Sequence, residues 1–333
     1  MKPTAVLLAL FVAACGGSSG ASSGSPTAPT SPTDKVDGGQ WAQRPPLLEA
    51  NSELAFAASN GRLYLLGGYP ASRQTVRTVQ VYDIVSSRWE LGPPLPQPNN
   101  HGMAAGVSGK VYLIGGQTTA DNGGYLDTVY ELDPARAAWV EQARMPTARS
   151  GGVAIVHDHK IYVAGGRPPR ERDFAVYDPG ADSWEVLPPL PTERNHLTGE
   201  SIKGRIHVVG GRQGDGLSPI MTTAHEVFDP QARTWTTAAP MLRARSGMNG
   251  AMARGCFHVW GGEGPAGMFP DHDYYDPRTD KWTRLRDMPN PVHGVYGSAF
   301  VDGLIWASGG GTSIGGSFGS LLNQVFLPTV SCE

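Results

Sequence analysis

The sequence predicts an all-β fold built from six copies of one four-stranded unit. Two markers recur along the chain, a pair of adjacent glycines and a tryptophan, and both return at intervals of 45 to 51 residues. Each glycine pair follows a short apolar run, as in RLYLLGG and KVYLIGG. Apolar runs bounded by glycine are typical of strands, and a repeat period in this range indicates a propeller or a solenoid. The sequence has no sustained 3.6-residue periodicity that would indicate helices.

The composition agrees with this class and excludes others. The 44 glycines and 28 prolines make up about 22% of the 333 residues, while hydrophobic residues still account for 40%. A turn-rich chain of this kind is not a helical bundle, and its apolar content is too high for a disordered protein. The chain has 27 basic and 30 acidic residues and a net charge of −3. It lacks the basic surplus of a nucleic-acid-binding protein, so we expect no nucleic-acid partner.

Residues 1–15 are predicted to be a lipoprotein signal peptide. Lys2 precedes an apolar stretch over residues 4–14 that is too short to span a bilayer. The segment VAAC, which ends at Cys15, resembles a bacterial lipobox, whose cysteine becomes the lipidated N-terminus. A chance cysteine behind a signal peptide is the alternative. Gly16 stands where the inner-membrane retention signal has Asp, which favours an outer-membrane lipoprotein of the bacterial cell envelope that faces the periplasm or the cell exterior.

Residues 16–37 are predicted to be a flexible tether. They read GGSSGASSGSPTAPTSPTDKVD, with hardly any apolar side chain. Such a segment buries too little surface to offset the entropy lost on ordering. The folded domain is therefore expected to comprise residues 38–333.

Each repeat has a second recognisable strand. It ends in Asp or its equivalent, as in VQVYD and HEVFDP, and where an Asp is present a tryptophan follows six residues later. This combination of a double glycine, a Tyr-Asp pair and a tryptophan resembles the kelch repeat from residue 41 to about residue 333. The resemblance implies a six-bladed kelch β-propeller. It does not imply one function, because the same blades serve adaptors, oxidases and sugar mutarotases.

The two ends of the chain predict how the ring closes. The sixth unit ends before it reaches a tryptophan, whereas Trp41 is surplus and lies 26 residues before the first glycine pair. We therefore expect the strand around Trp41 to be the outer strand of the sixth blade. This arrangement leaves no open sheet edge in the ring.

Variation between the repeats predicts the binding face. Nearly all differences in repeat length lie in the loop between the second and third strands, and variable loops on a rigid scaffold commonly form binding surfaces. Arginines recur ten residues after the tryptophan and directly after the glycine pair. The candidate ligand-binding residues on this face are Arg149, Arg194, Arg245, Arg167, Arg212, Asn99, His101 and His196.

The five arginines are expected to converge on one sector of the propeller mouth. A guanidinium suits a carboxylate, sulfate or phosphate group, so the predicted partner is a protein, an acidic glycan or a small anionic ligand. The kelch resemblance implies such a role for the arginines that begin the innermost strands. In the alternative interpretation, each arginine pairs with a carboxylate such as Asp173, Asp215 or Glu263. A non-catalytic binding module, monomeric and anchored to a membrane by lipid, is the first hypothesis.

An enzyme is the second hypothesis. Glu200 occupies an innermost-strand position at which the other repeats have small or apolar residues, so it is either a channel-facing acid or base or a carboxylate solvated by channel water. The resemblance to kelch sialic-acid mutarotases would give Glu200 a proton-transfer role and an arginine the sugar carboxylate. This hypothesis requires Glu200 and an arginine in one pocket.

Metal and cofactor sites are not predicted. His157 and His159 form an i,i+2 pair, but the sequence shows no set of three or four ligands at metal spacing. The glycine pairs end strands instead of opening helices, so they are not dinucleotide motifs. Cys256 and Cys332 are both expected at the end opposite the binding mouth, and the sequence leaves open whether they form a disulfide.

Overall fold

The computed structural model describes residues 35–133, 136–215, 219–315 and 317–333. The predicted signal peptide and residues 16–34 of the predicted tether lie outside this part of the chain. The described residues belong to one compact unit, Ser31–Glu333. None of the described segments forms a helix with the length and apolarity needed to cross a membrane.

The predicted six-bladed β-propeller is confirmed. Each blade is a four-stranded antiparallel sheet, and the first strands of neighbouring blades contact one another around the central channel. Blade 1 consists of Leu54–Ser59, Arg62–Leu66, Val79–Asp83 and Arg88–Leu91. Blade 2 consists of Met103–Val107, Lys110–Ile114, Val129–Asp133 and Ala138–Gln142. Blade 3 consists of Val153–His157, Lys160–Ala164, Phe174–Asp178 and Ser183–Val186.

The other three blades follow the same order from the channel outward. Blades 4 and 5 consist of Thr198–Ile202, Arg205–Val209, His225–Asp229 and Thr234–Thr237; and Asn249–Ala253, Cys256–Trp260, His272–Asp276 and Lys281–Arg284. Blade 6 consists of Ala299–Val301, Leu304–Ser308, Asn323–Pro328 and, as its outer strand, Gly39–Gln43. Short hairpins extend the loops of blades 4 to 6: Arg212–Gln213 with Ile220–Met221, Glu263–Gly264 with Gly267–Met268, and Gly311–Ser313 with Ser317–Gly319.

Ring closure by the N-terminal strand is confirmed. Gly39–Gln43 pairs antiparallel with Asn323–Pro328, and Trp41 lies opposite Phe326. A second junction lies on the channel side, where Val295–Tyr296 pairs in parallel with the start of the first strand of blade 1. Both ends of the folded chain therefore contribute to the same closed ring.

The repeated tryptophans connect neighbouring blades. An indole Nε1 donates a hydrogen bond to a backbone carbonyl 41 to 47 residues earlier in the chain in five cases: Trp89, Trp139, Trp184, Trp235 and Trp282. Each of these hydrogen bonds is 2.8 or 2.9 Å long. A buried indole N–H needs an acceptor, and this contact explains why the tryptophan recurs once per blade.

The glycine pairs permit close approach between blades. Gly67 adopts φ +62°, and a Cβ there would lie 2.1 Å from the carbonyl oxygen of Asn99 in the next blade. Gly165 repeats this geometry, with 2.5 Å to the carbonyl oxygen of Arg194. A side chain at these positions would clash as well as strain the backbone.

Cys256 and Cys332 form a disulfide, with their Cα atoms 5.0 Å apart. It joins the second strand of blade 5 to the segment that follows the third strand of blade 6. The sequence predicted that both cysteines lie at the same end of the ring but could not decide their pairing.

Candidate functional site

The predicted convergence of five arginines is wrong for three of them. Arg149, Arg194 and Arg245 are at most 1% exposed, and each side chain contacts the second and third strands of its own blade or the loop between them. Side chains at this repeat position point along the blade toward the end of the second strand. They cannot contact a ligand in the cavity without a large rearrangement.

These side chains instead satisfy the backbone around the glycine pairs. Arg149 Nη1 donates to the carbonyls of Val163 and Asp173, at 3.2 and 3.0 Å. Arg194 donates to the carbonyl of Ala224, at 3.0 Å, and forms a buried ion pair with Glu226. Burial lowers the pKa of Arg149 and of Arg194 to about 10, so both remain charged at neutral pH.

The same position has a structural role in blades 2 and 5. Asn99, which is also buried, donates from Nδ2 to the carbonyl of Gly115, at 2.7 Å. Arg245 lies 3.3 Å from Asp271 and 2.9 Å from Asp273. The alternative interpretation, pairing with carboxylates, therefore describes Arg194 and Arg245, although through Glu226, Asp271 and Asp273. It also describes Arg167 and Arg212, whose partners are Asp215 and Glu263, two of the carboxylates that the sequence suggested.

The loop-rich end of the ring contains a cavity of about 510 Å³. Five isolated β-bridges connect a residue that leads into an innermost strand with the residue that follows a glycine pair, for example Ser52 with Tyr69 and Asn195 with Arg212. The loops between the second and third strands and the segments that lead into the innermost strands therefore meet at one end of the propeller, as the sequence predicted. The polar and aromatic side chains that line the cavity are Glu53, Tyr69, Arg73, His101, Asp121, Asn122, Arg167, His196, Arg212, Asp215 and Glu263.

A single repeat position supplies the floor of this cavity. The residue twelve places after each tryptophan adopts a left-handed φ, between +50° and +70°, in all six blades. Backbone hydrogen bonds connect successive members of this ring, for example His196 N to Gly151 O at 2.7 Å and Gly247 N to His196 O at 2.8 Å. Three blades have glycine there and three have a bulky polar residue: Gly151, Gly247, Gly294, Glu53, His101 and His196.

The three polar residues occupy space that the glycines leave open. A Cβ at Gly294 would lie 2.6 Å from the carboxylate of Glu53, and one at Gly151 would lie 3.3 Å from the His196 ring. A left-handed backbone is unfavourable for Glu and His, and such residues concentrate at functional sites. The pattern identifies Glu53, His101 and His196 as candidate functional residues.

Two predicted arginines do reach the cavity. Arg167 Nη1 donates to Asp215 Oδ1 and Asn122 Oδ1, at 2.7 and 2.6 Å, and its Nη2 lies 2.9 Å from His101 Nε2. Arg212 Nη1 donates to Glu263 Oε1 at 2.8 Å. Both follow a glycine pair directly, so the strand end fixes where each guanidinium lies.

Asparagines orient the two histidines. His101 Nδ1 lies 2.5 Å from Asn100 Oδ1, and the amide nitrogen of Asn100 donates to the carbonyl of Thr119 at 2.9 Å. The amide orientation is thereby fixed, so His101 carries its proton on Nδ1 and presents the Nε2 lone pair to the cavity. His196 repeats the arrangement with Asn195 Oδ1, also at 2.5 Å. Burial, together with the charges of the two nearby arginines, holds the pKa of both histidines well below the ordinary value.

Glu53 is a buried carboxylate at the centre of this cluster. Its Oε2 accepts a hydrogen bond from Tyr296 Oη at 2.7 Å and lies 3.0 Å from His101 Nε2. Its Oε1 lies 3.5 Å from His293 Nδ1. The carboxylate increases the pKa of the Tyr296 hydroxyl further, beyond the larger effect of burial. Tyr296 therefore remains a hydrogen-bond donor at neutral pH.

A family model described as the KLHDC2/KLHL20/DRC7 Kelch-repeats domain matches residues 33–211, more than half of the chain. The chain belongs to the kelch-repeat family. Among curated proteins it is similar to Kelch-like protein terF of Aspergillus terreus, with 31% identity over 59% of this chain and 45% of that protein. It is also similar to mouse Kelch-like protein 36, with 26% identity over 53% of this chain and 30% of that protein. The chain thus spans less than half the length of these relatives.

A solved structure titled "Structure of YjhT" has the same fold as this kelch propeller. The TM-score is 0.70, and the match covers 84% of this chain and 95% of the other. The sequence identity is 16%, so the similarity concerns the fold alone.

Glu200 lies elsewhere in the kelch propeller. It faces a narrower part of the channel, about 190 Å³, lined mostly by alanine, glycine and valine. Burial raises its pKa to about 7, although hydrogen bonds from the amides of Met252 and Ser201 act in the opposite direction. No arginine lines this space among the described residues. The single pocket with Glu200 and an arginine that the enzyme hypothesis required does not exist in the structure.

The His157–His159 pair is not a chelate. His157 Nδ1 contacts Ser201 Oγ at 2.9 Å, whereas His159 Nδ1 lies 3.5 Å from Ser108 Oγ on the other side. The two rings therefore have separate partners.

Sequence reasoning did not name several residues of the site: Glu53, Tyr69, Arg73, Asp121, Asn122, His293 and Tyr296. It named Asp215 and Glu263 only as partners of arginines. Glu53 had a detectable signal, because it shares the repeat position of His101 and His196. His293 also had one, because it follows Trp282 by eleven residues, where the other repeats have serine or asparagine.

Proposed function

We propose that this kelch propeller is a binding module that holds a polyhydroxylated ligand, one or two units of a glycan, in the cavity at its loop-rich end. The volume of about 510 Å³ lies in the range of small-ligand sites. Hydrogen-bond donors and acceptors lie close together in the cavity, where Arg167 pairs with Asp215, Arg212 pairs with Glu263, and Glu53 adds a further carboxylate. Neighbouring donors and acceptors of this kind match hydroxyl groups, each of which donates and accepts.

Charge balance refines the ligand class. Arg167 is paired with Asp215 and Arg212 with Glu263, at 2.7 and 2.8 Å. Each guanidinium therefore has a carboxylate partner before any ligand binds. A neutral sugar can bind without displacing these partners, whereas an acidic sugar must compete with them. The cavity accordingly favours hydroxyl-rich groups over isolated anions.

A thermal-shift screen with neutral and acidic sugars tests this proposal. A ligand that binds only the folded state raises the melting temperature by mass action. We expect a shift with at least one sugar for the wild type and for Arg205→Gln, a surface control on blade 4. The shift should disappear in Arg212→Gln. A sugar-dependent shift that persists in Arg212→Gln, or no shift with any sugar, would contradict the proposal.

A second candidate function is acid–base catalysis on the bound sugar. It rests on the Glu53–His101 contact of 3.0 Å inside the arginine-lined cavity, in place of the Glu200 site that the sequence suggested. Nuclear magnetic resonance exchange between sugar anomers tests it. Faster exchange in the wild type than in Glu53→Gln would support catalysis, and equal rates would exclude it.

We further infer that the chain is exported and lipid-anchored through Cys15. The VAAC segment supports this proposal, and so does the Cys256–Cys332 disulfide, because disulfides persist in oxidising compartments. Metabolic labelling with palmitate tests it. Incorporation into the wild type but not into Cys15→Ser is the expected result, and an unlabelled wild type would contradict it.

A further inference from the structure

We propose that Glu53, His101 and His196 form a binding site for one divalent first-row transition-metal ion. The proposal concerns the cavity described above, but it does not depend on the nature of the sugar. Each residue offers one ligand atom, a carboxylate oxygen or an imidazole nitrogen, and these three atoms all lie within 4.8 Å of one another. The three side chains are 2–3% exposed.

The surroundings of the histidines match those of metal ligands. Metal-binding histidines typically donate their second ring N–H to a carbonyl or carboxylate oxygen, which fixes the tautomer and the ring orientation. Asn100 and Asn195 supply this acceptor for His101 and His196, at 2.5 Å in both cases. The Nε2 atoms are left for other contacts: that of His101 lies 3.0 Å from Glu53 Oε2, and that of His196 lies 3.0 Å from Arg212 Nη2.

The carboxylate of Glu53 is paired with imidazoles instead of a guanidinium or an ammonium group. Among the described residues, no lysine or arginine nitrogen lies within 4.0 Å of it, although other buried carboxylates such as Glu226, Glu263 and Asp273 have an arginine. Its nearest basic groups are His101 Nε2 at 3.0 Å and His293 Nδ1 at 3.5 Å. The proton of His101 is on the opposite nitrogen, so its Nε2 and Glu53 Oε2 are two acceptors 3.0 Å apart. Two acceptors at this distance repel each other unless a cation or a proton lies between them.

Arg167 competes for this position. Its Nη2 lies 2.9 Å from His101 Nε2 and 3.5 Å from His196 Nε2. Arg212 competes as well, because its Nη2 lies 3.0 Å from His196 Nε2. A metal ion must therefore displace the Nη2 groups of both arginines from the imidazoles, and the cost of this displacement limits the affinity. The Nη1 groups have partners outside the histidine pair, Asp215 and Asn122 for Arg167 and Glu263 for Arg212.

The donor set determines the class of ion. Two imidazoles and one carboxylate suit Zn²⁺, Fe²⁺, Co²⁺ or Ni²⁺, whereas Mg²⁺ and Ca²⁺ prefer oxygen ligands. Three protein ligands leave at least one coordination position directed into the cavity, where a sugar hydroxyl could bind.

The test is a titration of the purified full chain, freed of metal by EDTA, with Zn²⁺ in a calorimeter and with Co²⁺ in an absorption spectrometer. We expect one ion per chain. Glu53→Gln and His196→Gln should each weaken the affinity by at least about 100-fold, and Asn195→Ser, which leaves all three ligands in place, by about 10- to 100-fold. Arg167→Met should tighten binding because it removes one competing guanidinium.

A control variant excludes adventitious binding at the surface. His157→Gln/His159→Gln removes two histidines at the turn between the first two strands of blade 3 and should bind the ion as tightly as the wild type. Loss of binding in this variant would overturn the proposal. The proposal would also be overturned if the wild type bound no ion, whatever the result with Arg167→Met. A Glu53→Gln variant that bound the ion as tightly as the wild type would overturn it as well. No sugar is present in this titration, so its failure leaves the sugar screen unaffected.

Discussion

Arg194→Ala should destabilise the propeller strongly. Arg194 is fully buried, forms an ion pair with Glu226 and donates to the carbonyl of Ala224. Its removal leaves a carboxylate that is 3% exposed without its cation and leaves backbone acceptors without donors. Breaking a buried pair by removing one partner costs about 3–5 kcal/mol, so we expect a loss of about 4 kcal/mol in the free energy of unfolding. This is a large part of the total stability of a typical domain, about 5–15 kcal/mol.

Urea denaturation followed by tryptophan fluorescence measures this loss. Arg205→Ala is the matched control, because Arg205 is a half-exposed arginine of the same blade that pairs with Asp229, and it should change stability far less. Arg194→Met/Glu226→Leu, which removes both charges, should recover much of the loss. A loss below about 1 kcal/mol in Arg194→Ala would refute the structural role and return Arg194 to the list of ligand-binding residues.

Three further predictions concern closure and pH. Trp41→Ala should lower the free energy of unfolding by about 3 kcal/mol. The reason is that Trp41, in the closing strand, packs against Phe326 and His272 at ring distances of 5.2 and 5.3 Å. A melting curve equal to that of the wild type would contradict this prediction. Cys256→Ser should cost about 4 kcal/mol in denaturant unfolding, since the disulfide spans 76 residues, and the same stability with and without reductant in the wild type would argue against it. Burial lowers the pKa of His258 to about 3, so the unfolded chain binds one more proton than the folded one between about pH 6.5 and pH 3. Stability should therefore fall as the pH drops through this window, and His258→Gln should make the fall less steep; an equal slope in this variant would contradict the assignment.

The repeat pattern predicted the fold because its markers have direct physical roles. The glycine pairs allow blades to approach each other, and the tryptophans connect neighbouring blades through hydrogen bonds. Trp41 predicted the closing strand because a tryptophan that is surplus at one end of the chain completes the unit that lacks one at the other end.

The arginine prediction was wrong in part because position within a repeat does not give side-chain direction. Arg149 and Arg194 each directly precede a residue whose carbonyl accepts a hydrogen bond from the amide of a cavity arginine, yet their own side chains are buried within their blades. Their chemistry alone, a guanidinium that can bind carboxylates or carbonyls, fits either environment. The residue twelve places after the tryptophan was more informative. A position that alternates between glycine and charged or polar residues indicates a left-handed backbone that some blades retain at a cost, and this signal would have added Glu53.

The pairing of the cysteines and the contacts of Tyr296 and His293 could not be predicted. They depend on the separation of segments that are distant in sequence, and no repeat comparison measures that separation.

The most direct test of the account is a crystal structure of the chain with the sugar that gives the largest thermal shift. We expect the sugar in the cavity at the loop-rich end, with hydroxyl groups within hydrogen-bond distance of Arg212 and of the cluster formed by Glu53, His101 and His196. A sugar bound beside Glu200, or on the outer surface between blades, would contradict the assignment of the functional site.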